Sequence, residues 1–171
     1  MSTQIRPITL MDTDNIIKWR NSKNVISKFL YQDKMTKEVH EKWYNTRILT
    51  GEVAQFIIND GQNDIGSVYL RDIDKKNSKA EFGIFIGEDI ARGKGHGLEA
   101  TKLILKYAFN DLLLNKVFLR VLAENTGAIK TYQRAGFTQE GYFKSEVLLD
   151  GIYKDIIFMA ITKKEWETIN G

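Results

Sequence analysis

Gly87-Glu88-Asp89-Ile90-Ala91-Arg92-Gly93-Lys94-Gly95-His96-Gly97 is the stretch on which the reading of this chain turns. Three glycines alternate at 93, 95 and 97, between an apolar run from Phe82 to Ile86 and a periodic helix from Leu98 onward. A strand, a glycine-rich turn and a helix start together make an anion site. Glycines let backbone N–H groups converge, and the helix dipole favours a phosphate there. Arg92 and Lys94 add positive charge. Two familiar phosphate-binding patterns fail. The P-loop needs a second glycine five residues after its first, followed by Lys and Ser or Thr; from Gly87 that position is Arg92, and no Ser or Thr follows Lys94. The dinucleotide fingerprint Gly-x-Gly-x-x-Gly, started at Gly93, would need glycine where Leu98 stands. The pattern that fits is Arg-x-x-Gly-x-Gly, carried by Arg92, Gly95 and Gly97. Taken alone, it also reads as a flexible loop capping a helix.

Outward from the loop the elements are plain. Before it, Lys79 to Ile86 alternates Ala80, Phe82, Ile84 and Ile86 against Glu81, Gly83 and Phe85, a strand with one aliphatic face. Ala54 to Asn59 and Ile65 to Arg71 form a hairpin about the turn Asp60 to Asp64. Further upstream, Gln4 to Ile8 is a short edge strand, where Pro7 is tolerated. Helices follow from Asp12 or Thr13 to about Arg20, over Val25 to Leu30, and after Thr36 as cap. After the loop, Thr101, Ile104, Leu105, Ala108, Phe109 and Leu112 fall on one helical stripe. Val117 to Leu122 is the next strand, and Ala128 to Arg134 a short helix stopped by Gly136. Asp150-Gly151, between apolar runs Phe143 to Leu149 and Ile152 to Ile161, marks a final hairpin. Lys163 to Gly171 reads as a polar tail pinned by Trp166. This order implies one α/β domain over residues 1–171, its mixed sheet parallel where helices connect strands and antiparallel at hairpins.

Composition excludes several classes. The 171 residues are 43% hydrophobic and 27% charged, ordinary for a soluble globule. A net charge of +3 is too slight to argue for nucleic acid. No apolar run approaches the roughly 20 residues of a membrane span, and Met1 to Pro7 lacks a signal-peptide apolar region. With no cysteine there is no disulfide, thiolate metal site or acyl-cysteine intermediate. A cytoplasmic enzyme without a metal, free of membrane and nucleic acid, is the expectation.

Four separated segments resemble one family. They are Ala80-Glu81-Phe82-Gly83-Ile84, then Arg92-x-x-Gly95-x-Gly97, then Ala123-Glu124-Asn125-x-x-Ala128-Ile129-x-x-Tyr132 leading to Ala135-Gly136-Phe137, and finally Glu140-Gly141. Together they are similar to the GNAT acetyltransferase superfamily across nearly the whole chain, and within it to the branch of ribosomal-protein N-terminal, spermidine and amino-sugar acetyltransferases. The resemblance implies a central mixed sheet split at an acetyl-CoA site, with helices on both faces. It places the pantetheine arm against Phe85, Ile86 and Gly87 and the pyrophosphate at Arg92, Gly93, Lys94, Gly95, His96 and Gly97, with Asn125 capping a helix and touching the CoA arm.

Chemistry narrows the candidates. A thiolate leaving group with a free pKa of about 8.5 is helped by an O–H donor, and the resemblance puts Tyr132 beside the CoA sulfur; the bland alternative is a packed helix tyrosine. An amine with a pKa of about 10 must lose a proton before it attacks. Glu81 is the candidate base, against the alternative of a surface glutamate in an ion pair. Without cysteine, transfer is expected to be direct, in a ternary complex. A CoA-binding sensor without turnover is the rival from another class.

The acceptor is a small-molecule amine, for which three kinds stay open: an amino nucleotide sugar, a polyamine such as spermidine, and a protein N-terminus. Trp19-Arg20-Asn21 and His40-x-x-Trp43 resemble the N-acetyltransferase of the pseudaminic-acid pathway, which acts on a UDP-linked amino sugar. On that resemblance Arg20 and His40 grip the diphosphate and Trp43 or Tyr44 packs on a ring; otherwise the tryptophans are core and Arg20 is a surface charge. A homodimer is left open.

Overall fold

In the computed structural model, which describes residues 2–171, the chain runs β1 (Gln4–Pro7), α1 (Thr13–Asn21), α2 (Lys23–Ile26), α3 (Lys37–Trp43), β2 (Ala54–Asn59), β3 (Asp64–Asp74), β4 (Lys79–Ile86), α4 (His96–Lys106), β5 (Lys116–Leu122), α5 (Thr126–Ala135), β6 (Thr138–Leu149), β7 (Ile152–Thr162) and α6 (Lys163–Asn170). The strands form one mixed sheet in the order β1-β2-β3-β4-β5-β7-β6. Only β4 and β5 are parallel neighbours; every other pair is antiparallel. This is the mixed sheet that the order of elements predicts, with the split that the family resemblance implies.

The split has a simple origin. β4 and β5 pair only at Lys79↔Lys116, Ala80↔Val117 and Glu81↔Phe118. Beyond Glu81 each strand stays with its other neighbour. β4 follows β3 as far as Gly66↔Ile86, and β5 follows β7 as far as Leu122↔Ile156. The sheet therefore forks, and the facing edges of β4 and β5 keep unpaired backbone groups along the gap.

Helices cover both faces. The α4 stripe buries Thr101, Ile104, Leu105, Ala108 and Phe109 completely, against Val68, Leu70, Ala80, Phe82, Val117, Leu119 and Met159. Past Lys106 the helix widens, with the Leu112 N–H reaching the Tyr107 carbonyl. On the opposite face Ile8, Ile16, Trp19, Val25, Ile57 and Phe85 make a second cluster under α1 and α2. β4 is thus covered on both sides, and Phe85 is core rather than exposed.

Three sequence expectations change. The helix expected over Val25 to Leu30 lies earlier, at Lys23–Ile26, because the extended Ser22 opens it there, and residues 27–30 are turn and bend. The tail is a helix, α6, opened by a capping box in which the Thr162 hydroxyl accepts from the Glu165 N–H and the Glu165 carboxylate accepts from the Thr162 N–H. Trp166 does pin it, its ring tilted against Phe109 with centroids 5.4 Å apart. The final hairpin begins earlier than Phe143, at Thr138, and is interrupted by irregularities between Gln139 and Gly141 and between Phe143 and Val147. Its turn, Asp150-Gly151, has positive φ at both residues, as the Asp-Gly pair predicts. No helix is long and apolar enough to cross a membrane, among the described residues.

Candidate active site

A cavity of about 480 Å³ opens at the fork. The free edge of β4, the glycine-rich loop and the first turns of α4 and α5 line it on one side. Asn24, Val25 and the stretch from Lys28 to Tyr31, with the half-buried Tyr69 and Arg71 of β3, line it on the other.

The loop is built for close approach. Gly93 and Gly95 have φ of 72° and 88°, in the left-handed region that favours glycine. Gly95 directly precedes α4, whose first turn carries Gly97. A Cβ added at Gly97 would meet nothing within 4 Å, and the same holds at Gly127 in the first turn of α5. Two helix N-termini therefore present unshielded N–H groups to one cavity. Sequence reading missed Gly127; its signal was a second small residue just after a helix cap.

The charged loop residues divide. Arg92 lines the cavity, but its Nε and one NH2 hydrogen donate to the Ile86 carbonyl at 3.1 and 2.9 Å, and NH1 meets Asp89 at 2.6 Å. Two of its five donors remain. Its visible work is to staple the loop to the end of β4. Lys94 is exposed and outside the cavity lining. His96 lines the cavity, with Nδ1 2.9 Å from the Thr3 hydroxyl. Phe85 and Ile86 also line it. At Gly87 any Cβ would collide with the Trp19 ring, and the Trp19 Nε1–H and Lys18 Nζ donate to Glu88 at 2.7 and 2.8 Å. Those two bonds, Lys18 first, hold the Glu88 carboxyl below the usual range. α1 is thereby clamped to the start of the loop.

Asn125 caps α5, its Oδ1 accepting from the Ala128 N–H at 3.4 Å, and lines the cavity. Tyr132, two turns on, packs edge-on against Phe82 with ring centroids 5.6 Å apart. Its hydroxyl makes no hydrogen bond to another described residue, and burial pushes its pKa up, so it is a protonated donor at neutral pH. Glu81 is buried, 6% exposed. Its Oε1 accepts from Arg71 NH2 at 3.1 Å and from Arg120 Nε at 3.0 Å, and Oε2 from Arg120 NH2 at 3.5 Å. It bridges two guanidinium groups at the base of the fork.

The three acceptor candidates separate. Arg20 lies 3.5 Å over the Phe29 ring and donates from NH2 to the Tyr31 carbonyl, so it stands directly behind cavity-lining residues. Its NH1 is buried without a partner among the described residues. His40 and Trp43 do not line the cavity. His40 is 1% exposed, with Nδ1 3.1 Å from the Thr13 hydroxyl, and joins α3 to α1. Trp43 donates from Nε1 to Gln55, which in turn donates to Ser67. In this arrangement both are packing residues, so the grip on a diphosphate and the stacked ring expected of them have no geometry behind them. Arg71, Arg120 and Tyr69, which sequence reading passed over, do line the cavity. The signal for Tyr69 and Arg71 was the polar row Ser67, Tyr69, Arg71 alternating with the core residues Val68 and Leu70, and for Arg120 a lone charge between the apolar Leu119 and Val121 of β5.

A forked mixed sheet, glycine-framed helix starts and a tyrosine donor at the gap define an acyltransferase site of the GNAT kind. Residues 3–138 match the family model described as acetyltransferase (GNAT) domain, and the chain belongs to that family. It is 30% identical to the spermidine N(1)-acetyltransferase of Vibrio cholerae over 95% of this chain and 94% of that one. It is 28% identical to acetyltransferase PseH of Campylobacter jejuni over 72% of this chain and 74% of that one. The crystal structure of the Vibrio cholerae spermidine acetyltransferase in complex with CoA and spermine superposes with a TM-score of 0.90 at 29% identity, covering 96% of this chain and 98% of that one.

Proposed function

We propose that this acetyltransferase moves an acetyl group from acetyl-CoA to a primary amine by direct attack in a ternary complex. The observation that carries the reading is the fork: a protonated Tyr132 faces the gap beside two helix starts stripped of side chains. The nitrogen attacks the thioester carbonyl, the C–N bond forms, and the C–S bond breaks. The nitrogen gives up a proton to water, Tyr132 gives its own to the departing sulfur, and water restores it. The amides of Gly93 to Gly97 bind the pyrophosphate, and the open edge of β4 at Phe85 and Ile86, with Gly87 just past its end and outside the cavity lining, takes the pantetheine arm.

For the acceptor, the relatives weigh toward a polyamine more than toward an amino nucleotide sugar, since spermidine acetyltransferases match over nearly the whole chain. The residues of this chain weigh the other way. Arg71 and Arg120 line the cavity with one carboxylate, Glu81, between them, and Arg20 stands behind the lining, close enough to Arg71 to feel its charge. A polycation needs the reverse balance. We therefore favour an amine that also carries negative charge, of which an amino nucleotide sugar is one. A panel tests both levels: acetyl-CoA with a UDP-4-amino sugar, spermidine and an alanyl peptide, followed by thiol release. Best turnover of the sugar supports the charge argument, and best turnover of spermidine overturns it. Tyr132→Phe is expected to lower kcat roughly ten- to a thousand-fold with acetyl-CoA affinity unchanged. Tight acetyl-CoA binding with no thiol release from any amine would instead make the chain a sensor.

A further inference from the structure

Two tyrosines reach the fork from opposite faces of one strand, and only Tyr132 has a role in the chemistry above. Glu81 is the last residue of β4 that pairs with β5, so Phe82 and Gly83 are the first to stand at the open edge. Tyr132 packs on Phe82 from the α5 side. Tyr69, on β3, is the direct register partner of Gly83 and approaches from the other face. Its ring lies across the strand in the space a side chain at 83 would fill. A Cβ there would overlap the ring and stand 2.5 Å from the hydroxyl oxygen. The hydroxyl therefore sits over the β4 backbone at the mouth of the gap. Tyr69 lines the cavity, and its hydroxyl makes no hydrogen bond to another described residue.

The surroundings of Tyr69 are those of an acceptor subsite. Arg71 is two residues along the same face of β3, Arg20 approaches from α1, and Glu81 lies one register step away. Burial pushes the phenol pKa up while Arg71 and Arg20 pull it down, and burial prevails. The group is thus a neutral phenol at pH 7, with an O–H to give and a lone pair to receive. Glu81 does not compete for this place, because its Oε1 is held by Arg71 and Arg120.

Resting on the acetyltransferase reading, we infer that Tyr69 positions the acceptor: its oxygen takes a hydrogen bond from the attacking nitrogen and turns that nitrogen's lone pair toward the thioester in the fork. The two guanidinium groups nearby disfavour an ammonium ion, so the acceptor is held as the free amine. When the C–N bond forms and the C–S bond breaks, the nitrogen loses a proton to water in the open cavity. The sulfur gains one from Tyr132. The thioester is then held between two hydroxyls, one at the leaving sulfur and one at the entering nitrogen.

The test is Tyr69→Phe, which keeps the ring over Gly83 and removes only the oxygen. Rates are read as thiol release with the UDP-4-amino sugar, spermidine, the alanyl peptide and hydroxylamine. Hydroxylamine is small, largely unprotonated at neutral pH, and attacks any reachable bound thioester. The expected result is a fall of about tenfold or more in kcat/KM for each amine that the wild type accepts. Acetyl-CoA affinity by calorimetry stays within about twofold of wild type. Gly83→Ala, which displaces the ring, is expected to give a loss of the same order. Wild-type rates in Tyr69→Phe overturn the inference, as does a loss matched by an equal loss of acetyl-CoA affinity, which would assign Tyr69 to the CoA arm. If the wild type releases no thiol with any of the four, the acetyltransferase reading fails and this inference with it. Activity in the wild type with an unimpaired Phe variant removes Tyr69 alone.

Discussion

Glu81 must satisfy two demands, as a base for the amine and as the counter-charge of Arg71 and Arg120. The geometry favours the second: a buried carboxylate accepting from two guanidinium groups is holding the root of the fork. Glu81→Gln is accordingly expected to destabilise the fold by about 2 kcal/mol, since hydrogen bonds to charged groups are lost and two arginines are left uncompensated. Thermal or urea unfolding measures it. A variant as stable as wild type but catalytically dead would restore Glu81 as the base. His40 offers a cleaner pH signature. The Thr13 hydroxyl donates to the Leu10 carbonyl at 2.8 Å, so at 3.1 Å it accepts from His40 Nδ1–H, leaving the lone pair on Nε2, which is buried without a partner among the described residues. Protonation would bury an unpaired N–H, and burial accordingly lowers the His40 pKa in the fold. An unfolded histidine titrates near about 6.5 and binds the proton more readily than the folded one. The contribution of His40 is therefore complete above about pH 6.5 and lost as pH falls below it, until the folded pKa is passed. Melting temperature is expected to drop from pH 7 to pH 5, and His40→Gln to flatten that drop. An unchanged slope in the variant would place the acid sensitivity elsewhere.

At the scale of elements, the connection of α1 to the loop is the joint that sets the site. Gly87 leaves room for the Trp19 ring, and Trp19 and Lys18 both grip Glu88. Gly87→Ala forces the ring off the end of β4, at an expected cost of about 1–3 kcal/mol from overpacking. It is also expected to weaken acetyl-CoA binding, because the loop loses its anchor. Tryptophan emission and calorimetry report the two effects, and an unshifted spectrum with normal binding would contradict the joint. Nothing in the order of residues announced this contact, since Trp19 and Gly87 are 68 positions apart and meet only when α1 folds over β4. What was legible was local. The strands Ala54–Asn59 and Lys79–Ile86 fall where the sequence predicts them, the second by its alternation, and the α4 stripe follows its period. The α6 helix was legible too, in the Thr162-x-x-Glu165 box, but its polar composition concealed it. Within the site, Gly93, Gly95, Gly97 and Tyr132 were readable because a motif frames them, whereas Gly127 was not. Arg71, Arg120 and Tyr69 were not, because their meaning lies in which strand stands opposite, and a one-residue change of register would send each to the other face. His40 and Trp43 misled for the converse reason: a polar or aromatic residue on a helix reads alike whether it faces a ligand or a neighbouring helix.

The whole molecule is two half-sheets, β1 to β4 and β5 to β7, joined by three residue pairs at the root of the fork and by the cores under α4 and α5. Beyond Glu81 nothing in the sheet bridges them, so the edges of β4 and β5 are where local opening is least costly. A ligand whose arm lies in the gap and whose phosphates meet the starts of α4 and α5 ties both halves together. Because it binds only the folded chain, acetyl-CoA at a hundred times its Kd is expected to stabilise by about 2.7 kcal/mol. The gain should also have an address. Hydrogen exchange is expected to slow in peptides covering residues 82–87, 93–97 and 119–122, while the far hairpin around Asp150 and Gly151 stays unchanged. Gly95→Asp tests the cause. It sets a carboxylate at the phosphates and a side chain at a φ of 88°, so it should abolish both the thermal shift and the local protection. A thermal shift without protection at 82–87, or one that survives in Gly95→Asp, would mean that acetyl-CoA binds elsewhere and that the fork is not its site.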